Sequence, residues 1–268
     1  MSEKRINNVE KGNYYLVNGL NMYYEIHGAG KPLVLIHGAF GSIKTNFGNL
    51  LPAFKETRQV IAVEMQGHGH TADIDRPLSH EQLADDVAGL LRYLNIENAD
   101  IYGYSLGGDV TIQLALRYPD LVRKIVFSGG PSYHPDGFYT EFLESDKMMK
   151  PGKPWKEYYD SIAPNPSDLS IVAQKIKKMT HAWKGVPNVD LKSLNAPALL
   201  IIGDSDIVRL DHVVDMFKIL GGGVPGDLVG IPNSQLAVLP GTTHASLLKR
   251  THWLLSMIME FLDAPLPK

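Results

Sequence analysis

The sequence predicts an α/β fold in which a mostly parallel central sheet is flanked by helices. Short, continuous apolar runs recur along the chain, and such runs are typical of strands buried on both faces of a parallel sheet. Segments with helical spacing of apolar residues lie between them, and this alternation indicates the α/β class. At 268 residues the chain is long enough to bury one large core without disulfides. The apolar runs occupy residues 32–38, 58–67, 99–105, 123–130, 197–204 and 236–241.

Turn and capping signals place further elements around these runs. Residues 14–28 have the pattern of a hairpin that turns at Asn18 and Gly19, so antiparallel strands are expected at one edge of the sheet. Ser79, followed three residues later by Gln82, is the pattern of a capping box and predicts the start of a helix. Further helices are predicted over residues 107–119 and 251–262.

The alternation breaks between about residues 131 and 190, where seven prolines and many aromatic side chains occur without a clear strand pattern. We interpret residues 131–190 as a helical lid, or cap, inserted into a core made of residues 1–130 and 191–268. The alternative is a surface excursion with a small satellite core of its own.

Composition excludes several classes of function. The 26 Lys and Arg residues nearly balance the 29 Asp and Glu residues, so no strong positive field favours nucleic acid or an anionic membrane. The absence of cysteine excludes disulfides, thiolate metal sites and a cysteine nucleophile. The amino terminus is polar, unlike a signal peptide, and no apolar run is long enough to span a bilayer. We expect a cytoplasmic protein with no nucleic-acid or membrane partner; the sequence leaves the oligomeric state open.

A serine flanked by glycines follows one of the apolar runs. Gly103, Ser105 and Gly107 form the G-x-S-x-G pattern, with a strand-like run before it and a helix-like segment after it. This context is typical of a nucleophile elbow, in which a sharp turn exposes the serine hydroxyl. The amino terminus of the following helix directs N–H groups and its positive dipole end at developing negative charge. The sequence therefore predicts that Ser105 is a nucleophile.

A serine nucleophile needs a base and, usually, a carboxylate that orients the base. His244 lies in a loop after the last predicted strand, and Asp204 and Asp206 follow the run that ends at Gly203. Loops at the carboxyl edge of an open α/β sheet are where such sites lie. The order Ser, Asp, His along the chain is the order of a hydrolase triad on this kind of sheet.

The chain also offers an oxyanion hole. The stretch "LIHGAFGS" follows a predicted core strand, and it places the backbone N–H of Ala39 near the expected elbow. We predict that Ala39 and Leu106, the residue after the nucleophile, stabilise the oxyanion, with Phe40 as the alternative to Ala39.

Taken together, these motifs resemble the α/β-hydrolase-fold serine hydrolases that carry a lid, a group that includes esterases, lactonases, carbon–carbon bond hydrolases and non-metal haloperoxidases. The stretches "VLIHGAFGS", "VEMQGHGHT", "YGYSLGG", "LLIIGDSDIV" and "PGTTHASLL" follow the family's order over nearly the whole chain. The resemblance implies that Asp206, third after Gly203, is the acid rather than Asp204. One departure is that Glu64 and Gln66 stand where the family commonly has aspartate and arginine.

Several residues are expected to contact the substrate. The tyrosines and tryptophans of residues 131–190 favour a pocket that is apolar but able to form hydrogen bonds, which suits a bulky amphipathic substrate. His68 and His70 could suggest a metal, but the resemblance implies a tight turn there, and we expect neither a metal nor a cofactor. His37 is expected to be structural and Asp109 to be a charge in the first turn of a helix. The predicted substrate-binding residues are Phe40, Tyr104, Tyr133, Phe138, Trp155 and Trp183.

The resemblance implies hydrolysis of carboxylic esters or lactones, macrolides included, through an acyl-enzyme. Carbon–carbon bond hydrolysis and perhydrolase or haloperoxidase activity are alternatives on the same triad. A ligand receptor of the same fold with no catalysis is the alternative from another class. A serine at position 105 argues against haloalkane dehalogenases and epoxide hydrolases, whose elbows carry aspartate.

Overall fold

The fold is given by a computed structural model that describes residues 12–145 and 150–266. The strands in these ranges are β1 (Asn13–Val17), β2 (Leu20–His27), β3 (Lys31–Ile36), β4 (Arg58–Glu64), β5 (Ala99–Tyr104), β6 (Val122–Ser128), β7 (Ala198–Ser205) and β8 (Ser234–Thr243).

Within the described residues, these eight strands form one sheet in the order β1-β2-β4-β3-β5-β6-β7-β8. The pairs β1–β2 and β2–β4 are antiparallel, and every other pair is parallel. The predicted α/β class with a mostly parallel sheet and an antiparallel edge is confirmed. The hairpin turns at Asn18 (φ 49°) and Gly19 (φ 81°), because the twist of two adjacent strands favours a turn with two positive φ values.

The α-helices of the described ranges are α1 (Leu51–Phe54), α2 (His80–Tyr93), α3 (Leu106–Arg117), α4 (Thr140–Glu144), α5 (Lys153–Ile162), α6 (Leu169–Ala182), α7 (Asn188–Lys192), α8 (Leu210–Ile219), α9 (Gly226–Val229), α10 (His244–Leu247) and α11 (Thr251–Asp263). Helix α2 begins where the sequence predicts, because the Ser79 hydroxyl accepts a hydrogen bond from Gln82 N at 3.1 Å. No helix in the part of the chain that is described is both long and apolar enough to cross a membrane.

The core has two layers, one on each face of the sheet. Helices α2, α3 and α8 cover one face with side chains such as Leu83 and Val110, and α1 and α11 cover the other with side chains such as Phe54 and Ile258. Strands β3 and β5 run through the centre, with Leu33–Ile36 fully buried between the layers. The packing of helices on both faces of the sheet fixes the carboxyl ends of the central strands at one edge of the molecule.

The chain between β6 and β7, here called the β6–β7 segment (residues 129–197), carries α4, α5, α6 and α7. Phe138 forms an isolated antiparallel bridge with Val208, and Tyr139 N donates to Ile207 O at 3.2 Å, which ties the segment to the loop after β7. Within the described residues the segment contains no strand of the sheet. Positions 146–149 of the predicted lid, and 1–11 and 267–268 of the predicted core, lie outside the described residues.

Candidate active site

Ser105 lies on a sharp turn between the end of β5 and the start of α3, with φ 52° and ψ −123°. Residues other than glycine rarely adopt positive φ, so this backbone conformation is strained. The flanking glycines are required by close packing. A Cβ on Gly103 would lie 2.3 Å from the Gly107 carbonyl oxygen, and a Cβ on Gly107 would lie 2.0 Å from the Ile36 carbonyl oxygen. The elbow therefore exists because both positions lack side chains.

The structure brings His244 and Asp206 to Ser105. His244 Nε2 lies 2.9 Å from Ser105 Oγ, and His244 Nδ1 lies 2.7 Å from Asp206 Oδ1. Asp206 follows β7, and His244 follows β8, so both stand at the same edge of the sheet as the elbow. Because the carboxylate accepts from Nδ1–H, the lone pair of Nε2 is directed at the serine hydroxyl.

Two further contacts hold this arrangement in place. Asp206 is 8% exposed, and its Oδ1 also accepts from Ile207 N at 2.7 Å. The Tyr104 hydroxyl donates to His244 O at 3.0 Å, and its ring stacks on the imidazole at 5.3 Å between centroids. Burial raises the pKa of Tyr104, so the phenol stays protonated and continues to donate.

Asp204 has a different set of partners. Its oxygens accept from Gly241 N at 2.9 Å and from Thr242 N at 3.0 Å, and these backbone hydrogen bonds lower the pKa of this exposed carboxyl. Asp204 thus caps the turn that precedes His244, while Asp206 contacts the imidazole. Of the two candidate acids, the structure places Asp206 against the histidine.

The predicted oxyanion loop lies directly against the elbow. A Cβ on Gly38 would stand 3.0 Å from Ser105 Cβ, a tight contact, so glycine favours this close approach. Among the described residues, the backbone N–H groups of Ala39, Phe40 and Leu106 have no acceptor. All three residues line the same cavity as Ser105. These amides are available to an oxyanion.

The cavity in front of Ser105, here called the main cavity, has a volume of about 690 Å³, within the usual range for small-molecule sites. Its lining is mainly apolar. Of the predicted substrate-binding residues, five line it: Phe40, Tyr104, Phe138, Trp155 and Trp183.

Tyr133 does not line the main cavity, contrary to the expectation from the sequence. Its ring stacks on His212 at 4.2 Å between centroids, and it borders a separate pocket of about 370 Å³. The backbone of Tyr133 accepts from Val186 N at 2.6 Å, and its own N–H points to His212 Nε2 at 3.3 Å. These contacts turn the ring towards α8 and away from Ser105.

Sequence reasoning did not identify several residues that line the main cavity, among them His80, Phe142, Met179 and Asp109. Asp109 does lie in the first turn of α3, but it is buried, at 9% exposure. The available signal was its position four residues after Ser105, in the first turn of the helix that follows the elbow. No pattern in the sequence indicated His80.

The remaining histidine candidates have structural partners. His37 donates Nδ1–H to Gly38 O at 2.8 Å and accepts from Met65 N at 3.0 Å, while burial lowers its pKa to about 3. His68 lies 2.9 Å from Gln66 O through Nδ1, and His70 Nδ1 lies 2.9 Å from Glu64 Oε2. The hydrogen bonds of His37 therefore stabilise the oxyanion loop. His70 pairs with Glu64, which stands where the family commonly has aspartate.

Comparisons with known proteins place this geometry in a family. A family model described as the alpha/beta hydrolase fold matches residues 31–166. The chain is 36% identical over 113 residues to pyrrolizixenacetamide deacetylase of Xenorhabdus hominickii, an alignment that covers 42% of each protein. It is 33% identical over 183 residues to 2-hydroxy-6-oxo-2,4-heptadienoate hydrolase of Pseudomonas putida, covering 65% of this chain and 63% of the relative. The matches thus span less than two thirds of these relatives.

A solved structure of a similar fold covers almost the whole chain. It is the meta-cleavage product hydrolase CumD of Pseudomonas fluorescens, with a TM-score of 0.73 and 22% identity over 96% of this chain and 99% of that one. At this identity the likeness shows the fold alone. The matched family model, together with the elbow on a mostly parallel sheet, establishes that the chain belongs to the α/β-hydrolase fold family.

Proposed function

We propose that this chain hydrolyses carboxylic esters or lactones through an acyl-enzyme on Ser105. The observation that carries the proposal is the continuous line of hydrogen bonds from Ser105 Oγ through His244 to Asp206, at distances of 2.9 and 2.7 Å. A hydroxyl in this arrangement is activated as a nucleophile because the imidazole removes its proton as it attacks.

The reaction proceeds in two halves. In the first, His244 Nε2 takes the proton of Ser105 Oγ as the oxygen attacks the carbonyl carbon, and the oxyanion receives hydrogen bonds from Ala39 N and Leu106 N. The imidazolium, stabilised by Asp206, then protonates the leaving alcohol as the bond between its oxygen and the carbonyl carbon breaks. In the second half, His244 takes a proton from water as the water oxygen attacks the carbonyl carbon of the acyl-enzyme. The bond between that carbon and Ser105 Oγ then breaks, His244 returns the proton to Oγ, and the acid is released. A lactone follows the same steps, with its alcohol still attached to the acid. No step requires a cofactor.

The aromatic side chains that the β6–β7 segment contributes to the main cavity limit which substrates fit there. Trp155, Trp183 and Phe138 come from this segment and line the main cavity together with Ser105. We propose that residues 131–190 act as a lid over the bound small molecule, and that the lid selects bulky, amphipathic esters and lactones, macrocyclic ones such as macrolides included. The mainly apolar lining and the volume of about 690 Å³ support a ligand of this kind.

Carbon–carbon bond hydrolysis is the second candidate function. The similarity to the named Pseudomonas putida hydrolase favours it. In that reaction the same His244 would activate water for attack on a ketone of a vinylogous diketone. Perhydrolysis with peroxide in place of water, and ligand binding without turnover, are the remaining alternatives.

The test is mass spectrometry of a substrate panel incubated with the wild type and with Ser105→Ala. The panel contains aryl esters, small and macrocyclic lactones, vinylogous diketones and amides, with hydrogen peroxide in a parallel set. Ser193→Ala, at an exposed serine, is the matched control. Addition of one water to a lactone, or cleavage of an ester, by the wild type and the control but not by Ser105→Ala is the expected result. Turnover of the diketones alone, peroxide-dependent products alone, or no turnover would overturn the proposal.

A further inference from the structure

A second polar feature lies in the wall of the main cavity, one helical turn from the nucleophile. Asp109 stands in the first turn of α3, four residues after Ser105, and its backbone N–H donates to Ser105 O at 3.4 Å. His80, the first residue of α2, lies beside it, and both line the main cavity. The proposed ester hydrolysis uses neither side chain.

Both side chains lie in the cavity wall, with little exposure, and present hydrogen-bonding atoms that no neighbouring group of the described residues binds. Asp109 Oδ1 accepts from Ser132 N at 3.2 Å, but its Oδ2 stands 3.9 Å from His80 Nε2, too far for a hydrogen bond. Among the described residues, neither ring nitrogen of His80 has a hydrogen-bond partner, although the residue is only 4% exposed. The ring instead meets the edge of Trp183 at 5.1 Å between centroids. A few polar atoms that face a mainly apolar cavity without a protein partner point to a polar group on the ligand.

The charge state of the pair defines the kind of ligand. Burial raises the pKa of Asp109 to about 8, against the opposing effect of the Ser132 amide. Burial also lowers the pKa of His80 to about 4, against the opposing effect of Glu81. At neutral pH the pair is therefore a protonated carboxyl group and a neutral imidazole. Such a pair donates and accepts hydrogen bonds without attracting an ion.

We propose that Asp109 and His80 form a hydrogen-bonding subsite that selects substrates carrying a neutral keto or hydroxyl oxygen about one helical turn from the reacting carbonyl. This inference rests on the proposed ester hydrolysis at Ser105. The Asp109 hydroxyl donates to the substrate oxygen, and His80 contributes a second donor or acceptor. A substrate that lacks this oxygen leaves Asp109 and His80 without hydrogen-bond partners, so it binds less well.

The test compares keto esters with plain esters of matched length. Suitable probes are the nitrophenyl esters of levulinic acid and its next higher homologue, paired with those of pentanoic and hexanoic acid. Acetates of keto alcohols and of the matched plain alcohols place the oxygen on the other side of the ester bond. In the wild type we expect kcat/KM for at least one keto ester to exceed that of its partner by about tenfold or more.

Substitutions at Asp109 and His80, compared with control substitutions at exposed positions, distinguish loss of the subsite from a general loss of structure. Asp109→Leu and His80→Phe should bring the keto-to-plain ratio close to one. Asp109→Asn, which keeps an acceptor for Ser132 N and a donor towards the cavity, should preserve most of the preference. Asp190→Leu and His252→Phe change the same residue types at exposed positions and should retain the wild-type ratio. Denaturant unfolding shows which variants are folded.

Binding of the same ester pairs to Ser105→Ala, measured by calorimetry, keeps the inference testable without turnover. Tighter binding of a keto ester, lost in the double variant with Asp109→Leu, supports the subsite even if no ester is hydrolysed, in which case only the ester-hydrolysis proposal fails. Equal binding and equal hydrolysis of all pairs, or a preference unaffected by both Asp109→Leu and His80→Phe, would overturn the subsite while leaving ester hydrolysis intact.

Discussion

Arg76 Nε donates to the side-chain oxygen of Gln66 at 2.8 Å. The terminal nitrogens of the same guanidinium bind both oxygens of Asp86, at 3.2 and 2.6 Å. Gln66 stands where the family resemblance leads to an expectation of arginine. In this chain the guanidinium comes from a residue ten positions later, and Gln66 connects it to the loop after β4. Although the residue at position 66 differs from the family's, a partly buried cation is therefore still present near this loop.

Arg76→Leu is expected to lower the free energy of unfolding by about 3–5 kcal/mol, because it leaves the buried carboxylate of Asp86, at 1% exposure, without its cation. Urea denaturation measures the change. The matched control is Arg117→Leu, which removes an ion pair to Asp85 on the surface and should cost less than about 1 kcal/mol. Equal losses in the two variants would contradict the structural role given to Arg76.

Asp206→Asn and Asp204→Asn distinguish the two neighbouring acids. The first variant is expected to lower kcat for ester hydrolysis by roughly 10⁴-fold, because the amide no longer favours the required imidazole tautomer. The second changes a cap on the turn at Gly241 and Thr242, so kcat should fall by less than about tenfold. Steady-state kinetics on one nitrophenyl ester is sufficient. A larger loss in Asp204→Asn would reverse the assignment.

Trp155→Ala is expected to raise KM for bulky aryl esters by about tenfold, since the ring supplies apolar surface to the main cavity. Tyr133→Ala is the matched change outside that cavity and should leave KM within about twofold of the wild type, because its ring packs on His212. If the Tyr133 variant showed the larger change in KM, the position of the bound substrate would differ from the one proposed.

Acid should destabilise the protein through its buried histidines. Burial lowers the pKa of His68 from 6.5 to about 4. Between these pH values the unfolded chain binds a proton at this residue and the folded chain does not, so the free energy of unfolding falls as pH falls. The contribution of His68 is complete above pH 6.5 and lost progressively towards pH 4.

The variant His68→Phe removes this linkage. Compared with the wild type, it should lose less stability between pH 7 and pH 4.5, by up to about 3 kcal/mol. Urea denaturation at the two pH values measures this difference, with His252→Phe at an exposed position as the control. An identical pH dependence in the wild type and His68→Phe would show that the folded state protonates His68 as readily as the unfolded chain.

Local patterns in the sequence were sufficient for the sheet and for the residues nearest Ser105. Continuous apolar runs predicted strands such as β3 and β5 because a strand buried on both faces needs an apolar side chain at nearly every position. The elbow was predictable because the packing around Gly103 and Gly107 leaves no room for a side chain. Both positions must therefore be glycine, and the two glycines form a pattern that can be recognised in the sequence. His244 and the two candidate acids Asp204 and Asp206 were identifiable because they follow predicted strands in a fixed order, and the family resemblance favoured Asp206.

The tertiary structure decided what depends on the direction of a side chain and on distant neighbours. Tyr133 was expected in the main cavity, but the hydrogen bond from Val186 to its backbone and the stacking on His212 turn it away. Asp109 was expected to be a charged helix end, but the chain after β6 and the start of α2 bury it beside His80. The sequence by itself determined the fold class and the order of the site motifs, since both follow from local periodicity and strand ends. Which polar groups share the cavity was decided only when segments far apart in sequence packed together.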